Sequence, residues 1–138
     1  MAKTPVRLEV EGFQKREVQM VSYAFNQAID KENQPAGIPR GGLVTIKCKA
    51  LNGSDGLGEL LNWMTSKTMA KNGKVIFMVS SDSEKLLKEL EFEQAYCVQF
   101  KEVWEDKQSN ADLAHYEEIV ISCRKIKCAG AEYRNEWA

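Results

Sequence analysis

The 138-residue chain has little of several features that would point to chemistry or to a membrane. It carries one histidine and three prolines, and its 19 basic and 20 acidic side chains leave a net charge of −1. The charges are interspersed, which argues against a nucleic-acid groove or an anionic membrane surface as partner. No apolar run approaches the roughly 18 residues of a membrane-spanning helix. We expect one compact domain over residues 1–138, with neither nucleic-acid binding nor membrane insertion.

The four cysteines, Cys48, Cys97, Cys123 and Cys128, contain no Cys-x-x-Cys pair of the kind found in metal and redox sites. Three of them lie in apolar, strand-like segments, where a thiol behaves as a small hydrophobic side chain. The single histidine, His115, adjoins a polar segment typical of a solvated surface, so a catalytic Cys–His pair has little support. The sequence therefore predicts free structural thiols, no metal and no cofactor.

Catalytic and phosphate-binding motifs are also missing. The chain has no Ser-His-Asp set, no His-Glu-x-x-His and no carboxylate-rich calcium loop. Gly41-Gly42 precedes a strand pattern, whereas a phosphate-cradling loop precedes a helix. The sequence predicts a protein that is not an enzyme.

The first residues, Met1–Pro5, run directly into an alternating pattern and lack the apolar core of a signal peptide. We expect the chain to fold in the cytoplasm. Any export would have to use a route that accepts the folded protein.

Alternation of apolar and polar residues predicts a mainly β chain of six or seven strands. The patterned segments are Val6–Val10, Val18–Gln27, Val44–Cys48, Lys74–Ser80, Leu90–Trp104 and Tyr116–Lys127. In the longest segment, the series of alternating apolar positions runs from Leu90 and Phe92 to Tyr96, Val98 and Phe100. Long antiparallel strands in a chain of this size are best buried by closing a small barrel or by packing two sheets as a sandwich.

Two further segments have weaker patterns. Asp82–Leu87 fits either a helical turn or a wide bend, and Asp106–Asp112 is predicted to be a polar connection.

One α-helix is predicted, over about residues 56–69. Asn52–Asp55 supplies turn and capping side chains before it, and Asn72-Gly73 predicts its end. Its apolar stripe comprises Leu57, Leu60, Leu61 and Met64. Trp63 on this helix is interpreted as a packing anchor or an interface residue rather than a cofactor platform, because large aromatic side chains dominate core and interface burial.

A long segment rich in Gly and Pro, Ala28–Gly42, interrupts the strand patterns. Loops of this length are uncommon in compact domains unless they have a function or are disordered. It is either a tolerated insertion or an arm that reaches a neighbouring subunit, since binding residues concentrate on such loops. Two apolar residues in this otherwise polar segment, Ile29 and Ile38, favour the arm.

Three short segments carry a resemblance to a known family. They are Val21–Gln27 (VSYAFNQ), Phe92–Val98 (FEQAYCV) and the terminal Asn135–Trp137 (NEW). Together with the long Pro/Gly loop and the Leu-rich helix bearing a Trp, their order resembles a divergent branch of the Hcp family, the tube subunits of type VI secretion systems. The resemblance covers essentially the whole chain. It implies a small antiparallel barrel of two sheets with an α-helix packed outside.

The resemblance also implies a function. In this family six copies form a ring, and rings stack into a tube that a contractile sheath propels into a target cell, with effectors carried in the lumen. For this chain it implies a homohexamer, partnership with sheath and spike proteins, and effector proteins in the lumen. It further implies a protein that is cytoplasmic before firing and is then secreted without a signal peptide.

The family pattern assigns contact with the next ring to the long loop. The candidate ring-stacking residues are Ile29, Asp30, Asn33, Pro35, Ile38, Pro39 and Arg40. Six aromatic side chains are candidates for the core or for interfaces, namely Tyr23, Phe25, Trp63, Tyr96, Trp104 and Trp137. Of these, Tyr23, Phe25 and Tyr96 are expected mostly to support the barrel.

Two other functions stay open at this point. One is an Hcp-like or phage-tail-like adaptor, or an effector chaperone, that does not form tubes. The other is a small-molecule-binding β-barrel, with Trp63, Trp104 and Tyr96 as candidate pocket residues. The many large side chains at interior positions disfavour this last possibility.

Overall fold

The computed structural model describes residues 6–49, 58–78, 86–104, 115–135 and 137. Within these residues the chain forms seven β-strands and one short α-helix, which confirms the predicted mainly β class. In chain order the elements are β1 (Val6–Val10), β2 (Arg16–Tyr23), β3 (Leu43–Lys49), α1 (Glu59–Thr65), β4 (Lys71–Met78), β5 (Leu86–Trp104), β6 (His115–Cys128) and β7 (Ala131–Arg134).

Six of the strands close an antiparallel barrel. The strand order is β3-β2-β1-β4-β5-β6-β7, and an additional β3–β6 pairing joins the ends of the first six. One edge of β6 is shared by two partners, since its residues 116–122 pair with β3 and its residues 125–128 pair with β7. The predicted small antiparallel barrel is thus confirmed, with β7 as an extra strand.

An irregularity in the β5–β6 hairpin changes which side-chain positions face the barrel interior. In β6 every second residue is buried up to Cys123, and the next buried residue is Ile126, three positions on. In β5 the buried positions make the same step of three, from Phe92 to Ala95. The β4–β5 register slips at the same place, next to Gln94, whose φ is 50°. An extra residue of this kind is a β-bulge, which bends the strand and increases its twist.

The bulge corrects the predicted burial pattern of β5. Beyond it, Ala95 and Cys97 face the core, whereas Tyr96 is half-buried and Val98 is exposed. A second irregularity, between Cys97 and Gln99, returns Phe100 to the core. Simple alternation from Leu90 was therefore wrong, because it assumes that every residue of the strand opposes one partner.

The predicted helix was too long. α1 ends at Thr65, because Ser66 adopts an extended conformation with φ −98° and ψ 124°. The Trp63 indole N–H then lies 3.0 Å from the carbonyl oxygen of Met69 and 3.2 Å from that of Ala95, which ties the chain after the helix to β5. Trp63 is fully buried. The first part of the prediction, residues 56 and 57, lies outside the described residues.

The Asn72-Gly73 pair, predicted to end the helix, instead lies in β4. The Asn72 side-chain oxygen accepts a hydrogen bond of 2.9 Å from the backbone N–H of Gln94, at the bulge. A Cβ on Gly73 would overlap the Glu9 carbonyl oxygen and the Phe92 ring. Gly73 therefore allows close approach between neighbouring strands, which is a different use of glycine from a helix end.

Other boundaries moved by a few residues. β2 was predicted over Val18–Gln27 and ends at Tyr23. β4 was predicted to begin at Lys74 and begins at Lys71. The predicted strand residues 79 and 80, most of the ambiguous segment Asp82–Leu87 and the whole predicted connection Asp106–Asp112 lie outside the described residues. The last two residues of the ambiguous segment begin β5.

Buried aliphatic and aromatic side chains fill the barrel interior, and Arg16 and Glu117 form a salt bridge among them. Both side chains are almost completely buried. The Nε and Nη1 atoms of Arg16 have no hydrogen-bond partner among the described residues. This charged pair occupies one end of the barrel, near the ends of β3 and β5 that carry Cys48 and Glu102.

Candidate assembly surfaces at the two ends of the barrel

The long loop between β2 and β3 is a paired projection, which we call the arm and define as residues 24–40. The backbone N–H of Asn26 donates to the carbonyl of Arg40 at 2.9 Å, and the N–H of Arg40 donates back at 2.7 Å. Further out, the N–H of Ala36 donates to the carbonyl of Ala28 at 2.7 Å. Every residue of the arm is exposed. The arm is therefore a hairpin-like extension of the barrel with its own backbone hydrogen bonds.

The tip of the arm is a tight turn organised by Asp30. Its carboxylate accepts hydrogen bonds from the backbone N–H groups of Glu32 at 2.9 Å and Gln34 at 3.0 Å. Asn33 has a φ of 65°, a left-handed conformation that asparagine tolerates better than most residues. Two of the candidate stacking residues, Asp30 and Asn33, thus shape the tip.

The other candidate stacking residues lie either between the tip and the base of the arm or at its base. Ile29 opposes Pro35 in an isolated bridge, and Ile29 and Ile38 are 59% and 61% exposed. Pro39 and Arg40 lie at the base, where the arm joins β3. The structure therefore presents Ile29 and Ile38 as exposed apolar side chains beyond the base of the arm.

The C-terminal residues hold the base of the arm. The Asn135 side-chain amide donates to the carbonyl of Cys123 at 2.8 Å and to that of Gly41 at 3.3 Å. The Tyr133 hydroxyl accepts from the backbone N–H of Gly41 at 3.2 Å and lies 2.8 Å from the Asn135 side-chain oxygen. Gly42, with φ 94°, has no room for a Cβ beside Asn135. Sequence reasoning missed Tyr133, although it singled out the terminal Asn-x-Trp.

The candidate aromatic residues occupy different environments. Tyr23 and Tyr96 are half-buried, and Phe25 is exposed. Phe25 packs against Tyr133 with ring centroids 5.0 Å apart, and Tyr96 lies 5.8 Å from Trp137. The structure therefore groups Tyr23, Phe25 and Tyr133 at the arm base and places Tyr96 with the C-terminal Trp137.

An apolar groove opens between the arm base, β7 and the start of β5, and we call it the mouth groove. It encloses about 440 Å³ and is lined by Tyr23, Phe25, Pro39, Lys88, Ile126, Cys128, Ala131, Glu132 and Tyr133. The Tyr23 hydroxyl lies 3.3 Å from the Cys128 sulfur. The hydrogen bond with Cys128 and burial raise the pKa of Tyr23, and the hydrogen bond with Tyr23 raises the pKa of Lys88. The groove therefore combines aromatic walls with one cation and one carboxylate.

At the opposite end of the sheet, Trp104 stacks on His115 with ring centroids 3.1 Å apart. The Nε2 atom of His115 lies 2.9 Å from a Glu102 carboxylate oxygen. Trp104, a candidate core or interface residue from the sequence, is 70% exposed and so lies outside the core. His115 is half-buried in this cluster, where a solvated position was expected.

All four cysteines are free thiols. Burial raises the pKa of Cys48 and of Cys123 to about 12, and that of Cys97 to about 11. A thiol with so high a pKa is protonated at neutral pH and is a poor nucleophile. These three side chains serve as small apolar groups in the core.

Within the described ranges, no group of three or more His, Cys, Asp or Glu side chains is placed to hold a metal ion. The same residues include no helix long and apolar enough to span a membrane.

The chain matches known proteins over nearly its full length. The family model described as hemolysin coregulated protein Hcp (TssD) matches residues 2–138. The structure of Hcp1 from Flavobacterium johnsoniae is similar at 34% identity with a TM-score of 0.82, covering 95% of this chain and 99% of that chain. None of the curated protein sequences matches this chain.

More distant solved structures share the fold. Hcp1 from the E. coli EAEC 042 pathovar is 13% identical with a TM-score of 0.71, covering 99% of this chain and 100% of that chain. Hcp1 from Salmonella typhimurium is 10% identical with a TM-score of 0.68, covering 96% and 92%. The family model over residues 2–138 and the 34% identity to Hcp1 show that this chain belongs to the Hcp (TssD) family.

Proposed function

We propose that this protein is the subunit of a type VI secretion tube, in which six copies close a ring and rings stack end to end. The proposal rests on family membership and on one observation, the hydrogen-bonded, fully exposed arm at one end of a closed barrel. The work of such a protein is self-association and requires no chemistry.

Ring formation requires two different patches that meet at a rotation which closes. Exposed apolar side chains on the barrel, of the kind that mark interfaces, supply material for such patches. Those outside the arm and the mouth groove include Leu43, Leu86, Leu87 and Val98. The near-neutral net charge of −1 allows many copies to approach without strong mutual repulsion.

Stacking requires a feature that projects beyond the ring plane. The arm extends β2 and β3 past the barrel and carries Ile29 and Ile38 on its exposed surface. An apolar side chain held on an ordered projection can bury its surface only against another molecule, because its own barrel does not cover it. We propose that the arm makes this contact with the next ring.

The remaining parts of the proposal follow from the family. Sheath and spike proteins are the partners of the assembled tube, and effector proteins occupy its lumen. The subunit is cytoplasmic before firing and leaves the cell through the apparatus without a signal peptide.

The first experiment is the solution mass of the purified chain by light scattering on a sizing column. A ring has six times the mass of the 15.6 kDa chain. Electron microscopy of the same sample at high protein concentration then detects stacks. Rings that never stack would favour the adaptor or chaperone alternative, and a monomer would overturn the ring proposal and favour a ligand-binding barrel.

The arm is tested by deleting Asn33–Ile38. We expect the deletion to keep the β signal in circular dichroism and the ring mass, and to abolish stacks. A double substitution, Ile29→Ser with Ile38→Ser, keeps the arm length and should also reduce the number of stacks. Unfolding of the deletion variant would contradict the assignment of the arm to assembly alone.

A further inference from the structure

We propose that Trp104 of one copy inserts into the mouth groove of a second copy in the adjoining ring. This inference rests on the proposed stacking of rings and names a contact pair within it. The occupant of the groove is therefore another molecule of this chain, presented by its opposite end.

The strand registers place the two partners at opposite ends of one sheet. Tyr23 at the groove pairs with Val44, which pairs with Ile121, which in turn pairs with Cys97 of β5. Trp104 lies farther along β5 than Cys97 by about 20 Å, at roughly 3.3 Å per residue. Trp104 cannot reach the groove of its own chain, so only another copy can bring the two together.

Trp104 has the largest exposed fraction among the exposed large hydrophobic residues that the structure describes, 70%. Its ring stacks on that of His115, a contact that favours one orientation before any other molecule binds. Exposed, oriented tryptophans are among the residues that contribute most to binding when they enter a pocket. A surface position of this kind favours an interface role over a role in the barrel core.

The groove matches this side chain in size and chemistry. Its volume of about 440 Å³ exceeds that of one indole side chain, and its walls include the Phe25 and Tyr133 rings. Aromatic pairs at such distances add to the gain from burying apolar area. The occupant therefore finds an apolar, aromatic surface that the described residues of its own chain leave open.

Charges flanking the two surfaces are complementary. Glu102 accompanies Trp104, while Lys88 lines the groove. Docking would bring the Glu102 carboxylate toward the Lys88 ammonium. Charge complementarity of this kind fixes orientation and register more than it adds affinity.

The contact is also continuous with the arm. Phe25 belongs to the arm, and Pro39 at its base lines the groove. A contact between different patches at opposite ends of one molecule repeats without closing on itself, which is the geometry that a stack requires. In the proposed stack the arm and the groove would lie on one ring face, and Trp104 on the other.

The first test compares Trp104→Ala with Leu61→Ala, which truncates another exposed apolar side chain, on α1. We expect both variants to keep the ring mass, and Trp104→Ala alone to lower the number of stacked rings in micrographs at least tenfold. Stacks of normal length in Trp104→Ala would overturn the contact while leaving the tube proposal intact. Absence of rings in the unmodified chain would overturn both.

The second test follows alkylation of Cys128 by a maleimide, because this thiol lines the groove and the other three cysteines are buried. We expect Cys128 to react at least tenfold more slowly in stacks than in separated rings, and the Trp104→Ala sample to react at the fast rate. Cys128→Ser identifies the reacting thiol. Equal reaction rates in stacks and rings would overturn the proposal.

Discussion

The side chain of Asn135 occupies the space that a Cβ on Gly42 would need, so the C-terminal segment and the start of β3 fit together only when position 42 is glycine. The same amide donates to the carbonyl of Cys123 in β6. The last residues of the chain thus fix the point at which the arm leaves the barrel.

We expect Gly42→Ala to destabilise the fold and to misdirect the arm. An alanine with φ 94° costs about 1–3 kcal/mol in backbone strain alone, and the methyl group would also overlap Asn135 and the Cys123 carbonyl. Gly130→Ala is the matched control, because Gly130 has φ 88° but open space around it. Equal loss of stability in the two variants, measured by urea unfolding, would show that the Asn135 contact does not matter.

Removing the contacts of Asn135 and Tyr133 with the base of the arm should reduce stacking and leave ring formation unchanged. Asn135→Ala loses two hydrogen bonds to backbone carbonyls and one from the Tyr133 hydroxyl, each worth about 1 kcal/mol. Tyr133→Phe keeps the ring against Phe25 and loses the hydroxyl bonds to Gly41, Pro39 and Asn135. We expect both variants to keep the ring mass in light scattering and to form fewer stacks. Normal stacking by both would contradict the positioning role of the C-terminal segment.

The buried Arg16–Glu117 pair predicts a non-additive mutant cycle. Glu117→Gln leaves a buried guanidinium without its counter-charge and should cost about 3–5 kcal/mol of unfolding free energy. The double variant Arg16→Met with Glu117→Leu removes both charges and should recover most of that loss. Chemical denaturation of the single and double variants measures the coupling, and additive losses would contradict the buried pair.

Stability should fall at alkaline pH because of the buried thiols. Cys48 and Cys123 have pKa values of about 12 in the folded chain, raised by burial from the ordinary value of 9.0. The unfolded chain releases these protons from pH 9 upward while the folded chain retains them, so the stabilisation is complete below pH 9 and is lost as pH rises toward 12. Unfolding free energies at pH 8, 9.5 and 10.5 should decline, and less steeply in Cys123→Ala.

The sequence predicted most strands because alternation reports directly on a half-buried sheet. β1 pairs with β4 without a register shift, and β3 pairs with β6 in the same way. The burial patterns of β1 and β3 therefore follow the alternation. The burial phase of β5 was wrong because the bulge at Gln94 involves no glycine or proline that would signal it. At the bulge Gln94 contacts Asn72 and Arg124, which are distant in sequence and leave no local pattern.

The arm and the C-terminal contacts that hold its base were predictable only in part. The composition of residues 28–42 indicated a long loop. The pairing of its two halves depends on backbone hydrogen bonds, which leave no alternation of apolar residues in the sequence. Tyr133 contacts Gly41, 92 residues earlier, and nothing local marks that contact. The helix was predicted too long for a similar reason. The hydrogen bond from Trp63 to Met69 forms only when the chain folds back after the helix, and the sequence pattern does not indicate it.

The internal hydrogen bonds of the arm bear on how fast copies can join. Fixing one residue of backbone costs about 1–2 kcal/mol of conformational entropy. Asn26, Ala36 and Arg40 are already bonded in the isolated chain, so that entropy is lost during folding and not when a neighbour arrives. A preorganised arm leaves most of its contact energy available for association. In the proposed tube, each added ring would therefore dock as a nearly rigid body, without a disorder-to-order step that would slow growth.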